Sequence, residues 1–215
     1  MDFKAIAQQL RKPEGELGKQ VGVKMNEGNL PIYQFTLSAL KLKPNDKILE
    51  LGMGNGAFVQ NILALENSVT YIGCDFSETM VEEAKQKNAT VVSTGQVAFM
   101  VSSADDLPLS ADDIDLIFTV NTIYFWSHPE RELEEIKRVL KVGGQLLISL
   151  RPKSIMEHLP FVQFGFNLYE KEDVANLLVA SGFRIVKVME EKEPDQVING
   201  KSLRMETLIV VAQKQ

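Results

Sequence analysis

The chain is poor in the residues that build covalent or metal cross-links. Cys74 is its one cysteine, and His128 and His158 are its only histidines in 215 residues. A single cysteine excludes an intrachain disulfide. One cysteine and two separated histidines do not assemble a metal site at ligand spacing, so no metal is expected. Cys74 lies in the apolar run Tyr71-Ile72-Gly73-Cys74, where a buried, inert thiol is the simplest reading. No apolar run reaches the ~20 residues of a membrane span. The start, Met1-Asp2-Phe3-Lys4-Ala5-Ile6, has no signal-peptide pattern. Positive charge is short too: the formal net charge is -6 and no basic block occurs. That balance argues against a backbone-tracking nucleic-acid binder and against a polyanionic membrane surface. The expectation is a cytoplasmic protein with no nucleic-acid or membrane partner.

What is present is an alternation of strand and helix patterns. At 215 residues the chain fits one domain. Residues 1–44 read as a helical and loop cap, 45–150 as a ligand-binding core, and 151–215 as an insert plus a strand pair. In the cap, Phe3, Ile6, Ala7 and Leu10 have helical spacing. Gly22-Val23-Lys24-Met25-Asn26-Glu27-Gly28-Asn29 is too glycine-rich for a stable helix. It reads as a lid over a ligand or a strap over the core, with a new helix opening at Pro31. Strands follow at Lys47–Leu51, Val69–Cys74, Val97–Val101, Ile114–Val120 and Gln145–Leu150, with helices at about Ala57–Leu65, after Ser77, and after Pro129. Phe183–Met189 and Leu203–Ala212 are joined by a stretch too short and polar for a crossover helix, so they should pair antiparallel. The fold class is α/β: a doubly wound, Rossmann-like, seven-stranded sheet, mostly parallel with an antiparallel last strand.

The chemistry concentrates in Ile48-Leu49-Glu50-Leu51-Gly52-Met53-Gly54-Asn55-Gly56. An apolar run entering a glycine-rich turn reads as a buried strand leading to a helix. Glycines there permit positive φ and a close ligand approach, and the helix start favours an anionic group. Asp75 stands nineteen residues past Gly56, at the end of the next strand. A carboxylate there can accept from both hydroxyls of a ribose. These features serve any adenosine cofactor, nicotinamide dinucleotides included.

The wider pattern separates these possibilities. The glycine stretch, then Gly73-Cys74-Asp75-Phe76-Ser77-Glu78-Thr79-Met80, closely resembles the first two motifs of class I S-adenosylmethionine-dependent methyltransferases, of the small-molecule type. Ala104-Asp105-Asp106-Leu107-Pro108 resembles their adenine-side loop. Asp115-Leu116-Ile117-Phe118 and Ile136-Lys137-Arg138-Val139-Leu140-Lys141-Val142-Gly143-Gly144 complete the series in order. The resemblance implies S-adenosyl-L-methionine as cofactor and a small-molecule methyl acceptor. It implies that Glu50 orients the glycine loop and the cofactor's amino group, and that Gly52, Gly54 and Gly56 admit the methionine moiety. Asp75 would hold the ribose, Phe76 and Met80 would pack on the adenine, and the Ala104 N–H would face its ring. Asn121 would lie beside the reactive methyl. Many relatives have Gly-Asp before that alanine; here Ser102-Ser103 stand there, with Ser103 or Asp105 as substitutes for the adenine-amino contact.

Methyl transfer needs alignment more than a nucleophile-base set, and no such set is compelled. Weak catalytic candidates are His158, after the fifth strand, and Tyr124, which with Trp126 follows the fourth. Asn121-Thr122-Ile123-Tyr124 superficially matches the Asn-Pro-Pro-Tyr of nucleic-acid amino-methyltransferases, without the prolines. His128 reads as a surface or capping residue. Phe161, Phe164, Phe166 and Tyr169 read equally as an acceptor wall and as a core plug. Glu130–Arg138 reads as a solvated helix face. The alternatives are a nicotinamide-dependent oxidoreductase, against which none of the four tyrosines has lysine four residues on, and a non-catalytic cofactor-binding module.

Overall fold

A computed structural model describes residues 2–198 and 200–215. Its strands are β1 Lys47–Leu51, β2 Thr70–Asp75, β3 Val97–Val101, β4 Ile114–Val120, β5 Leu140–Leu150, β6 Phe183–Ile198 and β7 Lys201–Lys214. They form one sheet in the order β3-β2-β1-β4-β5-β7-β6. The pairs among β1 to β5 are parallel, and β7 runs antiparallel to both β5 and β6. The helices are α1 Phe3–Arg11, α2 Gly15–Ala39, α3 Val59–Leu63, α4 Glu78–Lys87, α5 Ala89–Ser93, α6 Pro129–Val139, α7 Lys153–Met156 and α8 Lys171–Ala180.

The sheet is covered on both faces, which is why its central strands are apolar almost throughout. Side chains alternate between the faces with the strand period of two. Leu49, Ile117 and Ile148 pack with Leu133 and Ile136 of α6 and Val174 of α8. Ile48, Leu116 and Phe118 pack with Ile32 of α2, Ile62 of α3 and Val81 of α4. Ser77 caps α4, its hydroxyl accepting from the Met80 N–H at 3.2 Å. α6 begins at Pro129, carries acidic residues in its first turn and Lys137 and Arg138 in its last, as the helix dipole favours.

The structure departs from the sequence expectations in three places. α2 is one helix of 25 residues, with Pro31 inside it rather than at its start. The glycines there are contact points: a Cβ at Gly18 would lie 2.6 Å from the Pro13 carbonyl carbon, and one at Gly22 would lie 3.1 Å from Met80 Sδ. Close packing offsets the ~1 kcal/mol that each glycine costs a helix. Pro31 donates no hydrogen bond to the preceding turn, and in that turn the Gly28 carbonyl accepts from Arg151 Nη2 at 2.7 Å. The helix after the glycine turn, expected at about Ala57–Leu65, is reduced to α3. The charged stretch from Glu190, expected as a connection, is mostly strand: β6 and β7 form a long hairpin whose register shifts between Glu193 and Gln196. Pro194 sits at that shift, where a strand tolerates a residue without an N–H.

A buried ion pair ties the hairpin to the end of β5. Arg151 Nε and Nη2 donate to Glu193 Oε1 and Oε2 at 2.9 and 2.7 Å, and the Thr207 hydroxyl donates to Oε1 at 2.8 Å. Both charged residues are buried. Arg151→Met strands the Glu193 carboxylate and should cost about 3–5 kcal/mol in urea unfolding. The double variant Arg151→Met/Glu193→Leu should recover much of that loss.

Candidate functional site

β1 lies between β2 and β4, so successive connections leave it toward opposite halves of the sheet. A crevice opens at the carboxyl ends of strands at such a switch point. Here it is a cavity of ≈ 220 Å³, walled by the glycine turn, the ends of β2 and β4, the loop after β3, and residues of α1, α2 and α6. The turn is fastened to β2 by the Gly52 N–H, which donates to the Cys74 carbonyl at 2.7 Å. Gly52 has φ 73° and Gly54 φ 58°, a region other residues rarely enter. A Cβ at Gly52 would stand 2.0 Å from Thr122 Cγ2, whereas at Gly54 no atom lies within 4 Å. Gly52 is required by packing; Gly54 leaves an open cradle on the cleft.

Asp75 ends β2 in the wall of the cleft. Its Oδ2 accepts from the Gly54 N–H at 3.0 Å and its Oδ1 from the Ser77 N–H at 2.9 Å. A carboxylate has about four acceptor sites, so two remain for a ligand. Burial pushes its pKa up, and the two backbone N–H groups pull it back. Asn55, within the turn, is 2 % exposed. Its Oδ1 accepts from Asn26 Nδ2 of α2 at 2.9 Å, and its Nδ2 has no partner.

Gly52, Gly54, Asp75, Phe76, Met80, Ser103, Ala104 and Asn121 all line the cleft. Asn121 adopts φ 57°. Its amide donates to Asn29 Oδ1 at 3.0 Å and accepts from the Tyr124 hydroxyl at 3.2 Å. Glu50 and Gly56 lie beneath the cleft and not in its wall. Glu50 is 2 % exposed, and its oxygens accept from the hydroxyls of Tyr33 at 2.6 Å and Tyr71 at 2.5 Å. The carboxylate expected to orient the glycine loop and, directly or through water, the cofactor's amino group ties α2 and β2 to β1.

The two weak catalytic candidates fall outside the cleft wall. His158 is exposed. The Tyr124 hydroxyl is locked against the Arg151 backbone, with contacts of 2.8 Å to the carbonyl and 2.6 Å to the N–H, and burial pushes its pKa well up. Phe166 packs on Phe125 and Tyr124 and Phe161 on Phe166, so these rings plug the core while Phe125 and Trp126 face the cleft. His128 is the N-cap of α6.

Sequence reasoning missed Arg11, Asn26, Asn29, Asn55 and Glu132. Arg11 Nη2 reaches Ser127 Oγ at 3.3 Å across the opening. Glu132, in the stretch expected to be a solvated face, is buried and lines the cleft. A helical-period reading of α6 places Glu132 beside Leu133 and Ile136, and that was the available signal. Among the described residues no group of three or more His, Cys, Asp or Glu is placed to hold a metal, and no helix is long and apolar enough to cross a membrane.

Residues 49–148 match the family described as a methyltransferase domain. The Bacillus subtilis protein YdaC, described as an uncharacterized methyltransferase, is 31% identical over 61% of this chain and 71% of its own length. The chain belongs to the class I S-adenosylmethionine-dependent methyltransferases. S-adenosylmethionine is therefore its cofactor, which sets aside the nicotinamide alternative. The ubiquinone/menaquinone biosynthesis C-methyltransferase UbiE of Geotalea daltonii is 34% identical over 54% of this chain, an alignment spanning 49% of that enzyme. A structure of an Aquifex aeolicus S-adenosylmethionine-dependent methyltransferase has the same fold, with TM-score 0.68, 24% identity and 100% of both chains covered.

In this methyltransferase burial holds the Glu50 carboxyl up at about 7, against the lowering effect of its two tyrosine partners. A carboxyl raised on folding keeps a proton that the unfolded chain releases, so stability falls as pH rises toward that value. The raised Asp75 acts in the same direction. The melting temperature should therefore drop between about pH 5 and about pH 7.5. Glu50→Gln should flatten that slope in a calorimetric pH series.

Proposed function

We propose that this methyltransferase acts on a small-molecule acceptor and that the switch-point cleft holds the cofactor. The observation that carries the proposal is one wall with three matched features. Asp75 offers two free acceptor sites for the ribose hydroxyls. Asn55, whose buried Nδ2 has no partner, stands in the turn where the carboxylate of the methionine moiety would come, and Gly54 leaves open space beside it. Asp75 and the open space at Gly54 fit the cofactor with their existing bonds kept. Phe76 and Met80 give the adenine an apolar bed, with Ala104 opposite. α3 has only five residues, so the donors of the turn itself and Asn55 replace a long helix start as the anion site.

S-adenosylmethionine supplies a methyl group already activated on a positive sulfonium. The chain's part is to hold, orient and exclude water. Asn121, held from α2 by Asn29 and from below by Tyr124, fixes the end of β4 beside the methionine end of the cleft. Such positioning can contribute roughly 7–11 kcal/mol to a two-substrate reaction. Two of the cleft's weaker acids are not available as bases. Tyr33 is bonded to Glu50, and the Cys74 thiol is pushed up to about 12 by burial. His158 stands outside the wall. The proposed reaction proceeds chiefly by alignment of donor and acceptor.

Support for a small acceptor is the roof. α1 and α2 close over the cleft, fastened by Arg11 to Ser127, by the Gly15 N–H to Thr79 Oγ1 at 3.2 Å and by Asn26 to Asn55. Met25, Val120, Phe125 and Trp126 add apolar wall, which suits a flat unsaturated ring. The likeness to an enzyme named for quinone biosynthesis points the same way.

Titration calorimetry should show binding of S-adenosylhomocysteine, and Asp75→Ala should weaken it about 10–100-fold through lost bonds to a charged acceptor. Unchanged affinity would mean the ribose lies elsewhere. Incubation with labelled S-adenosylmethionine and a panel of phenols, quinols and amines should label a small aromatic acceptor. Label appearing only in RNA or protein would defeat the acceptor assignment.

A further inference from the structure

The two edges of the sheet are β6 and β3, and they are built differently. β6 carries Lys187, Glu190, Glu191, Lys192 and Pro194. Its register shifts between Ile185 and Lys187 and again between Glu193 and Gln196. Charge, proline and bulges are the means by which an edge is kept from pairing with a second chain. β3 has none of them. Val97-Ala98-Phe99-Met100-Val101 is apolar throughout, and no residue from Asn88 to Ala104 is charged, in a chain where 24% are. That span includes α5, whose Val91 and Val92 pack in the same core cluster as Val97 and Phe99.

The backbone of β3 is only half bonded. The Tyr71 N–H donates to the Gln96 carbonyl at 2.9 Å, and the Ser102 N–H donates to the Asp75 carbonyl at 3.1 Å. In the parallel register that pairs Tyr71 with Val97, the even-numbered residues of this segment therefore bond to β2. The N–H and C=O groups of Val97, Phe99 and Val101 point away from it. Among the described residues nothing donates to these groups or accepts from them. Val101 is 48 % exposed, and Ala98, on the other face of the strand, is exposed as well.

We infer that two copies of this chain associate through β3, antiparallel across a two-fold axis at Phe99. In that register Val97 meets the partner's Val101, and Phe99 meets the partner's Phe99. Each such pair exchanges both backbone bonds, so every free group of the edge is used. Ala98 falls opposite the partner's Met100 on the second face, and the exposed Val101 gains an apolar neighbour. The axis brings no like charges together between Asn88 and Ala104. A second copy is therefore a matched occupant of this edge, and the isologous contact closes at two. The two sheets become one continuous sheet. Because the shared strands run antiparallel, the two clefts open at opposite ends of it.

Sedimentation equilibrium of the full chain should show a concentration-dependent species of twice the 24.1 kDa chain mass. A chain that stays monomeric up to about 0.1 mM, where even a weak interface is populated, overturns the inference. Val101→Pro removes an outward N–H and no bond to β2, a change that an edge strand tolerates. Val101→Lys keeps the backbone donor and sets a charge on the pairing line. Each should weaken dimerisation at least about tenfold, the scale of two hydrogen bonds per dimer, with the circular dichroism spectrum unchanged. If Val101→Pro fails to fold, Val101→Lys decides. Val197→Lys, on the opposite edge and 76 % exposed, should leave the mass unchanged. Ala98→Cys/Met100→Cys should form a disulfide-linked dimer on oxidation, since directly opposed residues of this kind lie about 4.5 Å apart at Cα. Three results overturn the assignment: a dimer that survives folded Val101 variants, a dimer lost in Val197→Lys, or a double-cysteine chain that does not cross-link.

Discussion

A carboxylate out of reach of water holds the cleft's roof to its floor. Glu50 follows Leu49 in β1 and therefore points to the face covered by α2. Left alone there, its charge would be costly. The hydroxyls of Tyr33 and Tyr71 satisfy both oxygens, which lowers the cost of the charged form but does not cancel the effect of burial. One side chain thus joins α2, β1 and β2. Tyr33 is further immobilised by stacking on Phe58, with ring centroids 3.8 Å apart. With α2 held at this point, Asn26 and Asn29 come to rest over Asn55 and Asn121, and the cleft acquires its upper wall.

α2 can occupy that place only because of residues that weaken isolated helices. Gly18 lets its backbone approach Pro13 more closely than any side chain would allow, and Gly22 lets it pack tightly on Met80. Near Pro31, the Gly28 carbonyl meets Arg151, which also neutralises Glu193 in the long hairpin. Tertiary contacts outweigh the low propensity of the segment, the usual fate of propensity in a packed protein. The same helix is therefore roof, cleft wall and link to the far edge of the sheet.

Much of the cleft was legible in the residues that lie next to one another in the chain. Gly52 and Gly54 announce a left-handed turn, and Asp75 announces an acceptor at the end of the next strand; both stand where expected. Ser77 was legible as a cap for the same reason. Asn55 and Glu132 were not. Asn55 is one polar residue inside a glycine turn, and nothing in its neighbours shows that one of its amide atoms ends up buried without a partner. Glu132 sits in a run of charges that resembles a solvated face, and its burial depends on how α6 leans on the loop after β3. Glu50 was recognised as important, but its partners place it under the cleft rather than in it.

The sequence by itself determined the alternation of strands and helices, the glycine turn and the acid at the end of β2, because periodicity and φ restrictions act between near neighbours. It also determined, by what it lacks, that no disulfide joins parts of this chain. The tertiary structure alone decided that α2 is continuous, that the hairpin is long, and which polar atoms face the cleft. Those outcomes rest on partners far apart in the chain, such as Asn29 with Asn121 and Gly28 with Arg151, separated by 92 and 123 residues. Burial and hydrogen-bond satisfaction are properties of such pairs, and no local pattern encodes them.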